Sequence, residues 1–187
     1  MPARILIVHD KKALQERITS VLTPFHVVTT CGDIPDAMNA IKSLEQTNLS
    51  GTLLDLIISA VHVNSVSKLS VFDLLKWAKG NPHVADVPFV LLDTEPSELA
   101  RYLTDSIREA GHALGAAGYA VIHQFDDQEF FHLTESYLPR ELRSTWSRRV
   151  DELKSPDEVQ QTGVDAHIYK VDFGGNDIHL RKSNSAH

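Results

Sequence analysis

The sequence predicts an α/β fold: a doubly wound, five-stranded parallel sheet carrying a C-terminal helix and β-hairpin. Two observations carry the sheet. Short aliphatic runs recur up to residue 122, and between successive runs apolar residues return at helical spacing. A strand that pairs in parallel with the next needs a covering helix on the crossover, so regular alternation specifies this architecture. A third observation limits the sheet domain. After about residue 136 the pattern changes to one charged helix, a polar stretch and a hairpin signature.

Residues 4–8 (Arg-Ile-Leu-Ile-Val) form a continuous aliphatic run of the kind buried on both faces of a parallel sheet. Leu14, Ile18, Val21 and Leu22 follow at helical spacing, Pro24 closes that helix, and Val27 to Thr30 supply the second strand. Ile34, Ala37, Met38, Ile41 and Leu44 form the next helical stripe. Leu53 to Ser59 reads as the third strand. Phe72, Leu75 and Ala78 mark a helix that stops at Gly80-Asn81-Pro82. Phe89 to Leu92 is the fourth strand, and Pro96-Ser97 open a long helix through Leu99, Leu103, Ile107, Ala110 and Leu114. Gly115 and Gly118 precede a fifth strand, Tyr119 to Ile122, and a fifth helix starts near Asp127.

Beyond the sheet domain (residues 1–136), an extension occupies residues 137–187. Leu138, Leu142, Trp146, Val150 and Leu153 fall on one face of a helix expected over about 137–154, and Ser155 to Gly163 reads as a linker. Tyr169, Val171 and Phe173 alternate with polar residues, Gly174-Gly175-Asn176 turns the chain, and Ile178 and Leu180 alternate again. That pattern predicts a hairpin over about 166–182, followed by a disordered tail. An isolated hairpin is marginal in water, so this one is expected to dock.

Hydrophobic residues make up 42% of the 187 and charged residues 23%, the balance of a globular domain. No run approaches the roughly 20 apolar residues of a membrane span, and the N-terminal run is too short for a signal peptide. A cytoplasmic location without a membrane partner is expected. Cys31 is the only cysteine, which excludes an internal disulfide and a thiolate metal cluster. The net charge of −7 argues against nucleic-acid binding, because phosphate contacts need a basic surface. Arg140, Arg143, Arg148 and Arg149 are interleaved with Glu135, Glu141, Asp151 and Glu152, the composition of a solvated helix face. No helix-turn-helix pattern follows the sheet domain.

Several strings in this order resemble the receiver domain of two-component response regulators, the CheY-like family, over residues 3–135. They are Ile-Leu-Ile-Val-His-Asp at 5–10, Asp-Leu-Ile-Ile-Ser-Ala-Val-His at 55–62, Phe-Asp-Leu-Leu-Lys-Trp at 72–77, Asn-Pro-His-Val-Ala-Asp-Val-Pro-Phe-Val-Leu-Leu at 81–92 and Gly-Ala-Ala-Gly-Tyr at 115–119. The resemblance implies the flavodoxin-like receiver fold and an aspartyl-phosphate switch. In such a switch an acidic pair and the aspartate ending the third strand hold Mg²⁺. A Thr or Ser ending the fourth strand and a Lys ending the fifth bind the phosphate.

This sequence departs from that pattern at nearly every such position. The acidic pair is His9-Asp10, and the phosphoacceptor position is Ala60. The hydroxyl position falls on Asp93, with Thr94 next, and the lysine position on Ile122 or, with a shifted strand end, on His123. Alanine cannot form an acyl phosphate, and Asp10 alone is a poor magnesium cage. The loop from Val63 to Ser70 and the segment from Asp93 to Tyr119 are both longer than the family pattern, and Val71 stands where a glycine is usual.

His9, His62, His123, Asp10 and Asp93 are expected around one cleft at the carboxyl ends of the strands, the usual ligand crevice of such sheets. Imidazole with carboxylate suits zinc or nickel, but the spacing matches no ligand motif. A relic cleft of mutually bonded polar residues (His9, Asp10, Ala60, Asp93, Thr94, Ile122 and His123) is the expectation, with no catalytic residue, metal or cofactor. Tyr119 matches the receiver's switch aromatic, and the surface around it is the expected docking face. Trp146 is either an interface anchor or a core residue of the extension. The expected function is that of a phosphorylation-independent pseudo-receiver, an interaction module for a histidine kinase, another receiver or an output protein. A homodimer through the extension is a further expectation. The alternative is a sensor that binds a metal ion or small ligand in the relic cleft.

Overall fold

The computed structural model describes residues 1–47, 53–63, 68–94, 98–144 and 168–172. In chain order the elements are β1 (Arg4–Val8), α1 (Lys12–Leu22), β2 (Val27–Cys31), α2 (Ile34–Thr47), β3 (Leu56–Ala60) and α3 (Val71–Gly80). There follow β4 (Phe89–Thr94), α4 (Glu98–Ala113), β5 (Gly118–Ile122), α5 (Asp127–Tyr137) and β6 (Ile168–Asp172). The sheet order is β2-β1-β3-β4-β5-β6. The first five strands are mutually parallel and β6 runs antiparallel to β5.

Every residue of β3 and β5 is buried, as the continuous aliphatic runs require of strands covered on both faces. Alternate residues of β1 feed two separate cores. Leu6 and Val8 join Ile34, Ile41, Leu74 and Tyr119 on the α2–α4 face; Ile5 and Ile7 join Ile18, Leu22 and Phe130 on the face of α1 and α5. Helix starts are fixed locally. Ser70 and Asp73 form a reciprocal capping box at α3, and the Asp126 side chain accepts the Glu129 N–H at α5.

Two sequence expectations are corrected. β3 begins at Leu56, not Leu53: Leu53 and Leu54 are buried ahead of the strand, and Asp55 clamps its start. The Asp55 carboxylate accepts the Arg4 N–H at 2.8 Å, while the Asp55 N–H donates to the Arg4 carbonyl at 2.8 Å. Nor does a helix begin at 137. α5 ends at Tyr137, Leu138 and Pro139 are extended, and residues 140–142 make a single 3-10 turn. Pro139 is the cause, since proline disfavours helix at the residue before it and lacks the N–H a continuing helix needs. β6, where the sequence places the first hairpin arm, pairs antiparallel with β5 of its own chain.

Trp146, the linker, the second hairpin arm and the tail lie outside the described residues. Among the described residues no helix is long and apolar enough to cross a membrane.

Candidate functional site

The parallel register brings five strand ends to one rim. Val8 pairs with Ser59, so His9 emerges beside the end of β3. Ala60 pairs with Leu92, and the Val61 N–H closes that end on the Leu92 carbonyl at 2.8 Å. Asp93 and Thr94 pair with Val121 and Ile122.

His9 is buried, at 1% exposure, and held on all sides. Its N–H donates to the Cys31 carbonyl at 3.0 Å, and its own carbonyl accepts the Gln15 side-chain amide, which also donates to Cys31 at 3.1 Å. The Lys11 N–H points at Nδ1 from 3.0 Å. That leaves the ring proton on Nε2, which donates to Thr94 Oγ1 at 3.0 Å. The Asp10 carboxylate lies 3.3 Å from Nδ1. The imidazole is therefore spent on backbone and hydroxyl partners.

Asp93 makes a different pair. It is 3% exposed and accepts the Tyr119 hydroxyl at 3.2 Å. Thr104 of α4 bonds the same hydroxyl. Burial, and after it the Asp93 carboxylate, pushes the Tyr119 hydroxyl pKa well above the ordinary tyrosine value. Adjacent strand residues face opposite sides of the sheet, so Asp93–Tyr119 belongs to the α4 side and His9–Thr94 to the α1 side. The single cleft expected from the sequence is thus divided in two. His62 and His123 are exposed. Among the described residues no group of three His, Cys, Asp or Glu is placed to hold a metal ion. Tyr119 itself, with 1% exposure, is an interior residue and not a surface contact.

On the α1 side a cavity of about 240 Å³ is lined by Lys11, Leu14, Arg17, Thr94, Ile122 and Phe125. Ile122 gives it an apolar wall. Arg17 stacks over Phe125 at 4.8 Å and pairs with Asp127 at 2.6 Å.

Sequence reasoning passed over a further polar cluster, near the start of β1. The Ala3 N–H donates to His26 Nδ1 at 3.3 Å, so Nε2 carries the proton and donates to Glu135 Oε1 at 2.5 Å. Glu135 Oε2 accepts the Ser144 N–H at 2.7 Å. His26 and Glu135 are 4% and 2% exposed, deep enough that each needs the other. The only signal was a glutamate on the apolar stripe of α5, which a charged-face reading absorbed.

No protein-family model matches the sequence, and none of the curated proteins matches it. Solved structures do. The chain is similar to the chemotaxis response regulator CheY4 of Vibrio cholerae (20% identity, 74% of this chain and 100% of that one, TM-score 0.56). It is similar also to a response regulator from Chloroflexus aurantiacus J-10-fl (23% identity, 75% and 100%, TM-score 0.57). The fold is that of a receiver domain. A third similar structure, NtrX from Brucella abortus, is matched over 30% of its length and 82% of this chain, at 20% identity and TM-score 0.59. At such identities the likeness concerns the fold alone, and function has to be argued from the site.

Proposed function

We propose that this chain is a pseudo-receiver: a phosphorylation-independent interaction module of two-component-type signalling, with no enzymatic step of its own. One observation carries the reading. β3 delivers Ala60, and so no nucleophile, to the rim where a receiver presents its phosphoacceptor. The neighbouring positions support it, because His9 is engaged with Thr94, Asp93 holds Tyr119, and Ile122 supplies no cation. In a receiver the aromatic on β5 turns as the phosphate arrives. Here a carboxylate of the chain itself holds it inward, so the docking face around α4, β5 and α5 is set without a phosphate. The partners are signalling proteins: a histidine kinase, another receiver or an output protein.

The test is the intact mass of the full chain after incubation with acetyl phosphate and Mg²⁺. An unmodified mass is expected; a phosphoryl adduct on an aspartate refutes the reading. The cavity beside Thr94 and Ile122 supports a second reading, a sensor of a small ligand. A compound that binds only the native state raises the melting temperature by mass action, so a thermal-shift screen of small carboxylates decides it.

A further inference from the structure

The cavity on the α1 side has walls of two kinds. Leu14, Ile122 and Phe125 are apolar, while Lys11, Arg17 and Thr94 are polar. Among the described residues its lining holds two cations, Lys11 and Arg17, and no carboxylate. The first turn of α1 lies along the same wall, and that helix starts with neither a side-chain cap nor an acidic residue. Its N-terminal N–H groups add positive potential to that of Lys11.

Two sets of donors at this site are left to a ligand. Thr94 Oγ1 accepts the His9 Nε2–H, so its own hydroxyl proton is left to donate, and no described residue takes it. Arg17 gives its Nε–H to Asp127 at 2.6 Å and lays the guanidinium over Phe125; among the described residues its Nη groups meet no acceptor. The end of that fork, Nη1 with Nη2, is a bidentate seat for a carboxylate. Asp127 offsets part of the Arg17 charge, so the fit of the fork and not net charge sets the choice. The volume, about 240 Å³, equals about eight shares of liquid water at about 30 Å³ each. It lies below the roughly 300–1,000 Å³ of pockets for drug-sized ligands, so it suits a molecule of about eight non-hydrogen atoms.

We infer that this cavity is a binding site for a free, short-chain aliphatic carboxylate. The head group takes the Thr94 hydroxyl and the Arg17 Nη groups, and the chain lies against Leu14 and Ile122. Inorganic phosphate would bring a strongly hydrated charge against those apolar walls without covering them. An α-amino acid would place its ammonium beside Lys11 and Arg17. The bound acid touches α1, the ends of β4 and β5 and the segment ahead of α5, so it links four parts of the strand-end rim. This inference rests on the second reading above, a small-ligand sensor, and names the ligand class.

The experiment titrates the full chain with sodium hexanoate, its neutral isostere hexanamide and inorganic phosphate at matched ionic strength, reading melting temperature and calorimetric Kd. Hexanoate at about ten times its Kd should raise the melting temperature by about 3–6 °C in a chain of this length. Hexanamide and phosphate should leave it unchanged. Arg17 is half-exposed, so Arg17→Gln keeps the fold; it should weaken hexanoate by about 10–100-fold, the worth of a charge-assisted hydrogen bond. Arg17→Lys, which keeps the charge and loses the fork, should fall between. Hexanamide or phosphate binding as tightly as hexanoate overturns the inference but leaves the cavity a ligand site. Hexanoate binding that ignores Arg17→Gln does the same. No response to any of the three probes overturns the inference and the sensor reading together.

Discussion

Tyr119→Phe isolates the contact between Tyr119 and Asp93. The ring keeps its place in the core beneath α4, and what is lost is the hydroxyl, which donates to Asp93 at 3.2 Å and is also bonded by Thr104. A hydrogen bond to a charged group contributes about 1.5–3 kcal/mol, and 3.2 Å is long for an O–H···O bond, which puts this one near the lower limit. Asp93, at 3% exposure, has no bulk water to replace the donor. The variant should therefore lose about 1.5–2 kcal/mol in urea unfolding at neutral pH, with an unchanged denaturant slope. A pH series checks the cause. The folded hydroxyl keeps its proton above the ordinary tyrosine value of 10.0, while the unfolded chain releases it there. Stability from this group is thus complete below pH 10 and falls as pH rises past it, so the gap between wild type and Tyr119→Phe should narrow above pH 10. A variant as stable as the wild type, or a gap that ignores pH, would refute the reasoning.

Other contacts give independent tests. Glu135→Ala strands the His26 Nε2–H and the Ser144 N–H in a buried site, and should cost about 2–6 kcal/mol in the same assay, at about 1–3 kcal/mol for each buried donor left unpaired. A Cβ on Gly118 would run into the Tyr137 hydroxyl and ring, so Gly118→Ala should destabilise by about 1–3 kcal/mol, seen as a lower melting temperature. Burial, then Asp36 and Asp33, pushes the Cys31 thiol from 9.0 up to about 11. The stability it contributes is complete below pH 9 and lost as pH rises through about 11, a decline that should be missing from the Cys31→Ser curve.

Much of this fold was legible because a doubly wound sheet writes itself as alternating periods: β1, α1, β2, α2 and the elements through α5 lie close to where the aliphatic runs and helical stripes put them. The misreadings have local causes. Leu53 and Leu54 are as apolar as a strand but pack at its entrance, because Asp55 ties the backbone to Arg4. Leu138 and Leu142 keep a helical spacing across Pro139, which breaks the helix that the spacing suggests. At the site, strand-end residues could be read from the family pattern, but not their division between two faces, since that depends on which neighbour each side chain meets. Gln15, Thr104, His26 and Glu135 act through partners distant in sequence, and no local spacing marks them.

A pseudo-receiver of this kind should have a strand-end rim that does not respond to phosphate. The most direct test is an amide NMR spectrum of the full chain before and after addition of beryllofluoride with Mg²⁺, a phosphoryl mimic that needs an acceptor carboxylate and a metal. The resonances of Ala60, Asp93 and Tyr119 are expected to stay where they are. Shifts that cluster at those residues and run along β5 would show a working switch and contradict that reading.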